Sequence, residues 1–276
     1  MRPAPFELPH NAKIAMSVFV AFEAFIKHSQ YRRSSDKPDY ASLAFGEFGA
    51  RVGIWRIMDI LNKHGAKGTI DTNGLIAQQC PEAVKELDAS GHEIVGHGWA
   101  NDIYLDALEA EREKQIVKDT LNAIAAVTGK RPAGWVSPGH RITDRTFEFL
   151  VAEGIVWNGD LPIDEVPHHR EIHGKRLVIM PRLDYANDHS LVFAAKNPPR
   201  VYFEAFKTAF DFLYAEGVAG RPKLVDCLVH AHIGGRFPMA GVFEQCIRYA
   251  RGFSDVWFCT KGDIANWYLE RYAKQS

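Results

Sequence analysis

Short apolar or β-branched runs recur along the chain at 12–22, 66–71, 92–96, 134–137, 155–158, 176–180, 223–230 and 255–259, and each reads as a buried strand. Helical patterns fill most of the gaps. Ile54, Ile57, Met58 and Leu61 fall at i, i+3, i+4 and i+7, which gives one apolar face. Val117, Leu121, Ile124 and Ala125 repeat that spacing in a segment that Gly129 and Pro132 bring to an end. Phe203, Phe206, Phe210 and Leu213 form a third stripe, and all three stripes read as core. Strands that alternate with helices of this length pair in parallel through right-handed crossovers. About eight of them predict a closed or nearly closed α/β barrel, with an open doubly wound sheet as the alternative. Neither G-x-G-x-x-G after a strand nor G-x-x-x-x-G-K-S/T occurs, so a nucleotide-binding version has no phosphate loop to use. Two longer insertions, 24–49 and 181–199, read as lids or substrate-shaping segments.

Composition narrows the class. The 276 residues are 46% apolar and 24% charged, with no repeat, low-complexity tract or linker-like stretch, so a single domain over 1–276 is expected. With 33 basic against 34 acidic residues the net charge is -1. Counterion release then has no global source, and neither a nucleic-acid partner nor a membrane-surface role is expected. The early apolar run at 14–22 is far short of the ~20 residues a bilayer needs. It follows Pro3, Pro5, Glu7 and Pro9 rather than a basic stretch, so it reads as a first strand and the protein as cytoplasmic. Cys80, Cys227, Cys246 and Cys259 lack C-x-x-C spacing and read as reduced, packed thiols. The apolar content, with 17 Phe, 6 Trp and 9 Tyr, leaves surface to bury and points to a homo-oligomer.

In a parallel barrel the active site collects at the carboxyl ends of the strands. Glu23 ends the first strand, Asp71 closes the second and His97 follows the third. Trp135 and Ser137 end the fourth, Asp160 follows the fifth, and His230 and His232 end the seventh. A carboxylate and three imidazoles at one mouth equip a site for general acid–base or metal-assisted hydrolysis. The plainer alternatives are a solvated rim carboxylate at Glu23 and a turn at Gly96-His97-Gly98 that merely needs glycine. In His230-Ala231-His232 strand alternation puts both rings on one face, which suits chelation or a paired relay, unless the strand has already ended. His92, five positions before His97, faces the opposite side. His28, His64, His140, His168, His169 and His189 read as solvent-facing. Arg51 and Arg56 either orient an anionic substrate or pair with Glu47 at the surface.

The order of Glu23 after an apolar strand, Gly91-His-Glu-Ile-Val-Gly-His97-Gly-Trp-Ala-Asn101, Gly134-Trp-Val-Ser-Pro-Gly139 and Leu228-Val-His-Ala-His232 resembles the successive motifs of the polysaccharide deacetylase (NodB-homology) superfamily. The segments 48–56 and 176–188 are most similar to its bacterial allantoinase and cyclic imide hydrolase branch. The resemblance runs from about Ile14 to Trp267. It implies a distorted (β/α) barrel of about seven to eight parallel strands, with Glu23 in the place of the catalytic base and His232 in that of the general acid. Deacetylases of this superfamily carry T-F-D-D and H-S/T-x-x-H, whose second aspartate and two histidines hold a divalent metal. Here those stretches read Ala21-Phe-Glu-Ala24 and His97-Gly-Trp-Ala-Asn101, so only His97 of that set remains.

The reading is a hydrolase of non-peptide C–N bonds that opens a small cyclic amide, imide or ureide. Glu23 or His97 would deprotonate water, His232 would protonate the leaving nitrogen, and backbone N–H groups at Trp135 to Ser137 would hold the oxyanion. Arg51, Trp135, Ser137, Asp160 and His230 are the expected substrate-binding residues, and a small molecule is the expected partner. No cofactor is expected to be required, with a divalent metal such as zinc as the alternative. A metal-dependent carbohydrate N-deacetylase and a non-catalytic ligand-binding barrel are the rival functions.

Overall fold

The computed structural model describes residues 6–27 and 37–272; His28 and part of the 24–49 insertion lie outside the described residues. The strands are β1 (Ile14–Phe22), β2 (Gly68–Thr72), β3 (Glu93–Gly96), β4 (Gly134–Trp135), β5 (Trp157–Asn158), β6 (His168–Ile172), β7 (Lys175–Ile179), β8 (Lys223–His230) and β9 (Val256–Phe258). They form one curled sheet in the order β6-β7-β5-β4-β3-β2-β1-β8. Strand β1 carries β8 along one edge, while its other edge is divided between β9 at Ile14–Met16 and β2 at Val18–Phe22. All eight predicted runs are strands, and all eight pair in parallel. The ninth, β6, pairs antiparallel with β7. The ends of the sheet approach each other where Leu228 N–H donates to Ala186 O at 3.0 Å and Asn187 bridges to Leu228. The result is the distorted barrel that the resemblance implies.

Alternation along β1 explains the layering. Ala15 and Phe19 face inward with Val136, Val178, Leu224 and Leu228. Ile14, Met16, Val18, Val20 and Phe22 face outward onto the helices. Those helices are α1 (Tyr40–Phe48), α2 (Ile54–Lys63), α3 (Gly74–Gln79), α4 (Pro81–Ala89), α5 (Ala110–Thr128), α6 (Asp144–Ala152), α7 (Arg200–Val218), α8 (Ala231–Gly234), α9 (Phe237–Ala250) and α10 (Lys261–Tyr272). The predicted stripes are the packed faces: Ile57 and Leu61 of α2, Val117 and Leu121 of α5, and Phe206 and Phe210 of α7 are all buried. Gly129 ends α5 with φ +75°, a left-handed cap that glycine adopts at no steric cost. Among the described residues no helix is long and apolar enough to cross a membrane.

Candidate active site

Three residues in register set the floor of the site. Ala21 of β1 lies opposite Asp71 of β2 on one side and His230 of β8 on the other. Side chains in register on parallel strands share a face, and because the middle one is a methyl group, a hollow remains between its neighbours. Glu23, just past the end of β1, stands over that hollow. The cavity, about 250 Å³, is lined by Ala21, Glu23, Asp71, His97, His140 and His230, with Arg182 and His189 at its edge. A second cavity, about 590 Å³, shares Glu23 but runs out between α1 and α3 past Arg51 and Gln79.

Glu23 is the hub. Its Oε1 is 3.4 Å from His97 Nε2 and 3.9 Å from His230 Nε2, and its Oε2 is 3.9 Å from His232 Nδ1. Behind two of these imidazoles stands a buried carboxylate. Asp71 Oδ2 is 3.1 Å from His97 Nδ1, which also donates to Val136 O at 2.7 Å. Asp188 accepts from His230 Nδ1 at 2.6 Å and from His230 N–H at 2.9 Å.

Electrostatics follow from this geometry. Burial works to raise the Glu23 carboxyl, but His230, His97 and His232 outweigh it and hold the group down at about 2. Burial likewise opposes charge on His97, yet Asp71 and Glu23 lift it to about 9. On His230 burial is overcome by Asp188 and Glu23, again giving about 9. Burial, with Glu23 adding to it, pushes Asp71 up to about 6 although His97 pulls the other way. His232 differs: burial drives it down to about 3, and the charge on His230 works in the same direction.

The expected residues divide accordingly. Glu23, His97 and His230 meet in the cavity. His232 does not reach it, because β8 ends at His230 and the chain turns at once into α8. Strand alternation across His230-Ala231-His232 therefore fails. His232 sits beyond Glu23, fully buried, with its ring edge-on to Phe25 and Phe45. Burial holds the ring in its neutral form at neutral pH, a poor proton donor, which disfavours the expected acid role. Trp135 and Ser137 are also displaced from the expected role. Both are fully buried, and the indole N–H donates to Ser137 Oγ at 2.8 Å. The backbone donors nearby are committed as well: Val136 N–H to Gly96 O at 3.0 Å and Ser137 N–H to Asp160 Oδ1 at 2.7 Å. Asp160 itself is a buried support, not cavity wall. Arg51 is exposed on the neighbouring cavity, and Arg56 donates to Gly235 O at 2.5 Å, a packing role.

Sequence reasoning passed over four contributors. His140 and His189, read as solvent-facing, line the cavity or its edge. Arg182 and Asp188 lie within the 181–199 insertion, marked in the sequence by its length and by the family resemblance of 176–188, neither of which singles them out. Asp188 reaches His230 across 42 positions, a separation no local pattern reveals.

The donor set does not fit a divalent metal. Ala24 offers no ligand, and Asn101 Oδ1 is occupied by His97 Nε2 at 3.1 Å. Among the described residues no three His, Cys, Asp or Glu side chains are arranged to hold an ion.

Known proteins share both sequence and fold with this chain. The polysaccharide deacetylase family matches residues 34–155. A peptidoglycan deacetylase of Helicobacter pylori is 28% identical over 268 residues, covering 86% of this chain and 89% of its own. The crystal structure of PuuE allantoinase superposes with a TM-score of 0.88 at 25% identity, over 98% of this chain and 95% of that one. A family 4 carbohydrate esterase from Streptomyces lividans shares the fold alone, with a TM-score of 0.54 at 11% identity and coverage of 90% and 91%. By motif order, sequence and fold together, the chain is similar to proteins of the polysaccharide deacetylase superfamily.

Proposed function

We propose that this chain opens a small cyclic amide, imide or ureide by adding water across its C–N bond. The observation that carries the reading is Glu23, an ionised carboxylate buried among imidazoles in a cavity of about 250 Å³. That volume lies below the roughly 300–1,000 Å³ of sites for drug-sized ligands. It suits one ring better than a polymer strand.

The chemistry follows from the protonation pattern. Glu23, ionised at every ordinary pH, takes a proton from water as the oxygen adds to the carbonyl carbon. His97, held as a cation between Glu23 and Asp71, supplies positive charge beside the developing oxyanion in place of the committed backbone donors. The C–N bond then breaks, and His230, held charged by Asp188, passes its Nε2 proton to the leaving nitrogen. The products are a carboxylic acid and an amine or amide on one opened chain. Glu23 then releases the proton it took and His230 regains the one it gave, both through solvent.

One observation favours a second reading, hydrolysis of an N-acetyl group on a sugar: the larger neighbouring cavity also reaches Glu23 and has room for a saccharide. The deciding experiment is a turnover assay on succinimide, hydantoin, dihydrouracil and N-acetylglucosamine oligomers, with and without chelator. Ring opening that survives chelation supports the first reading. Acetate release alone, lost with chelator and restored by zinc, overturns it.

A further inference from the structure

A third imidazole in the cavity is built like the two already described, yet the chemistry does not use it. His140 Nδ1 is 3.4 Å from Asp160 Oδ1. That carboxylate is fully buried and pinned by Ser137 N–H at 2.7 Å, Ser137 Oγ at 2.9 Å and Asn158 Nδ2 at 2.7 Å. The backbone beneath it is unusual. Gly139 has φ +60°, and His140 follows with φ +54°, a left-handed conformation that side-chain-bearing residues rarely adopt. Strain of this kind persists where the surroundings over-determine it, and it concentrates at ligand sites. Here it turns the ring back over the cavity instead of out along the loop, where Arg141 meets Asp106. Asp160 faces Nδ1, and a ring that carries its proton on that side presents Nε2 as an acceptor. The side chain is partly open and lines the cavity.

We propose that His140 is a substrate-binding residue that accepts a hydrogen bond from a ring N–H, and so selects unsubstituted imides and ureides over N-alkylated ones. This rests on the ring-opening reading above. Glu23, His97 and His230 already supply base, cation and acid. An acceptor elsewhere on the wall of so small a cavity meets the polar edge of a bound ring, and imides and ureides carry N–H there.

The test uses succinimide and N-methylsuccinimide on the full chain. H140G removes the ring at a position whose φ glycine adopts freely, so its thermal midpoint should be no lower than the parent's. H140N keeps an acceptor on a residue that tolerates the same φ. The parent should prefer succinimide in kcat/KM by about tenfold or more, the scale of a hydrogen bond lost inside a site. H140G should lose that preference through succinimide alone, and H140N should retain part of it. Calorimetric titration of both compounds into E23Q and E23Q/H140G reads the same preference without turnover. An H140G protein that discriminates as the parent does overturns the assignment, as does an E23Q protein that binds both compounds equally. Absence of turnover by the parent, with E23Q binding still selective and dependent on His140, overturns the ring-opening reading and leaves this one standing.

Discussion

Glu23 keeps its charge in a place where burial alone would remove it, because three imidazoles surround it. E23Q should cut turnover by about a hundredfold or more, since it removes the group that takes a proton from water. Charge on His97 and His230 sets the other limb. In a pH–rate profile kcat/KM should hold through neutrality and fall above about 9 as both lose their protons. D188N, which takes away the partner of His230, should draw that limb toward the ordinary histidine value of 6.5. Stability moves in the same sense. Each group's folded-state value lies above its unfolded one, so its contribution is complete below about 6.5 and is lost as pH rises toward 9, which urea midpoints measured against pH would show. The missing metal donors give a separate test. Asn101 N–H donates to Ala24 O at 2.9 Å, so A24D with N101H would place two new ligands beside His97. Calorimetry should find zinc binding in that variant and none in the parent. At this scale the sequence was partly legible: strand ends located Glu23, His97 and His230. It misplaced His232, because a strand's last residue is invisible to alternation, and missed Asp188, whose contact is long-range.

Elements were legible wherever periodicity was strong. The eight apolar runs and three helical stripes all appear, because each buries one or two faces and selection for burial writes the pattern. The strand that escaped notice, β6, reads His168-His169-Arg170-Glu171-Ile172 and lies at the sheet's edge with two of its five residues exposed and none fully buried, so no apolar pattern marks it. Close approaches of backbone were equally hidden. The π-helical turn Gly49–Gly53 presses against α8, and a Cβ on Gly53 would stand 1.9 Å from Ala231 O. G53A should therefore lower stability by about 1–3 kcal/mol or more by forcing two packed segments apart. Because α8 follows His230 directly, activity should fall further than the fraction unfolded explains. Thermal unfolding and kcat measured on the same preparation would separate the two effects.

For the whole molecule, the apolar content leads us to propose a homo-oligomer. Light scattering should return a mass at least twice that of the chain, and a monomer at micromolar concentration would refute it. The divided edge of β1 bears on how the chain is made. Strand β1 takes two of its three neighbours from the last third of the sequence: β8 begins at Lys223 and β9 at Val256. Until those residues leave the ribosome, one edge of β1 and half of the other stay open, exposing Ile14, Met16, Val18 and Val20. Folding that must close so long a loop is slow, and the waiting strand is a template for association between nascent chains. Chains stalled before Lys223 should accumulate protease-sensitive and prone to aggregation, whereas chains that have fully emerged should pass to resistance in one cooperative step.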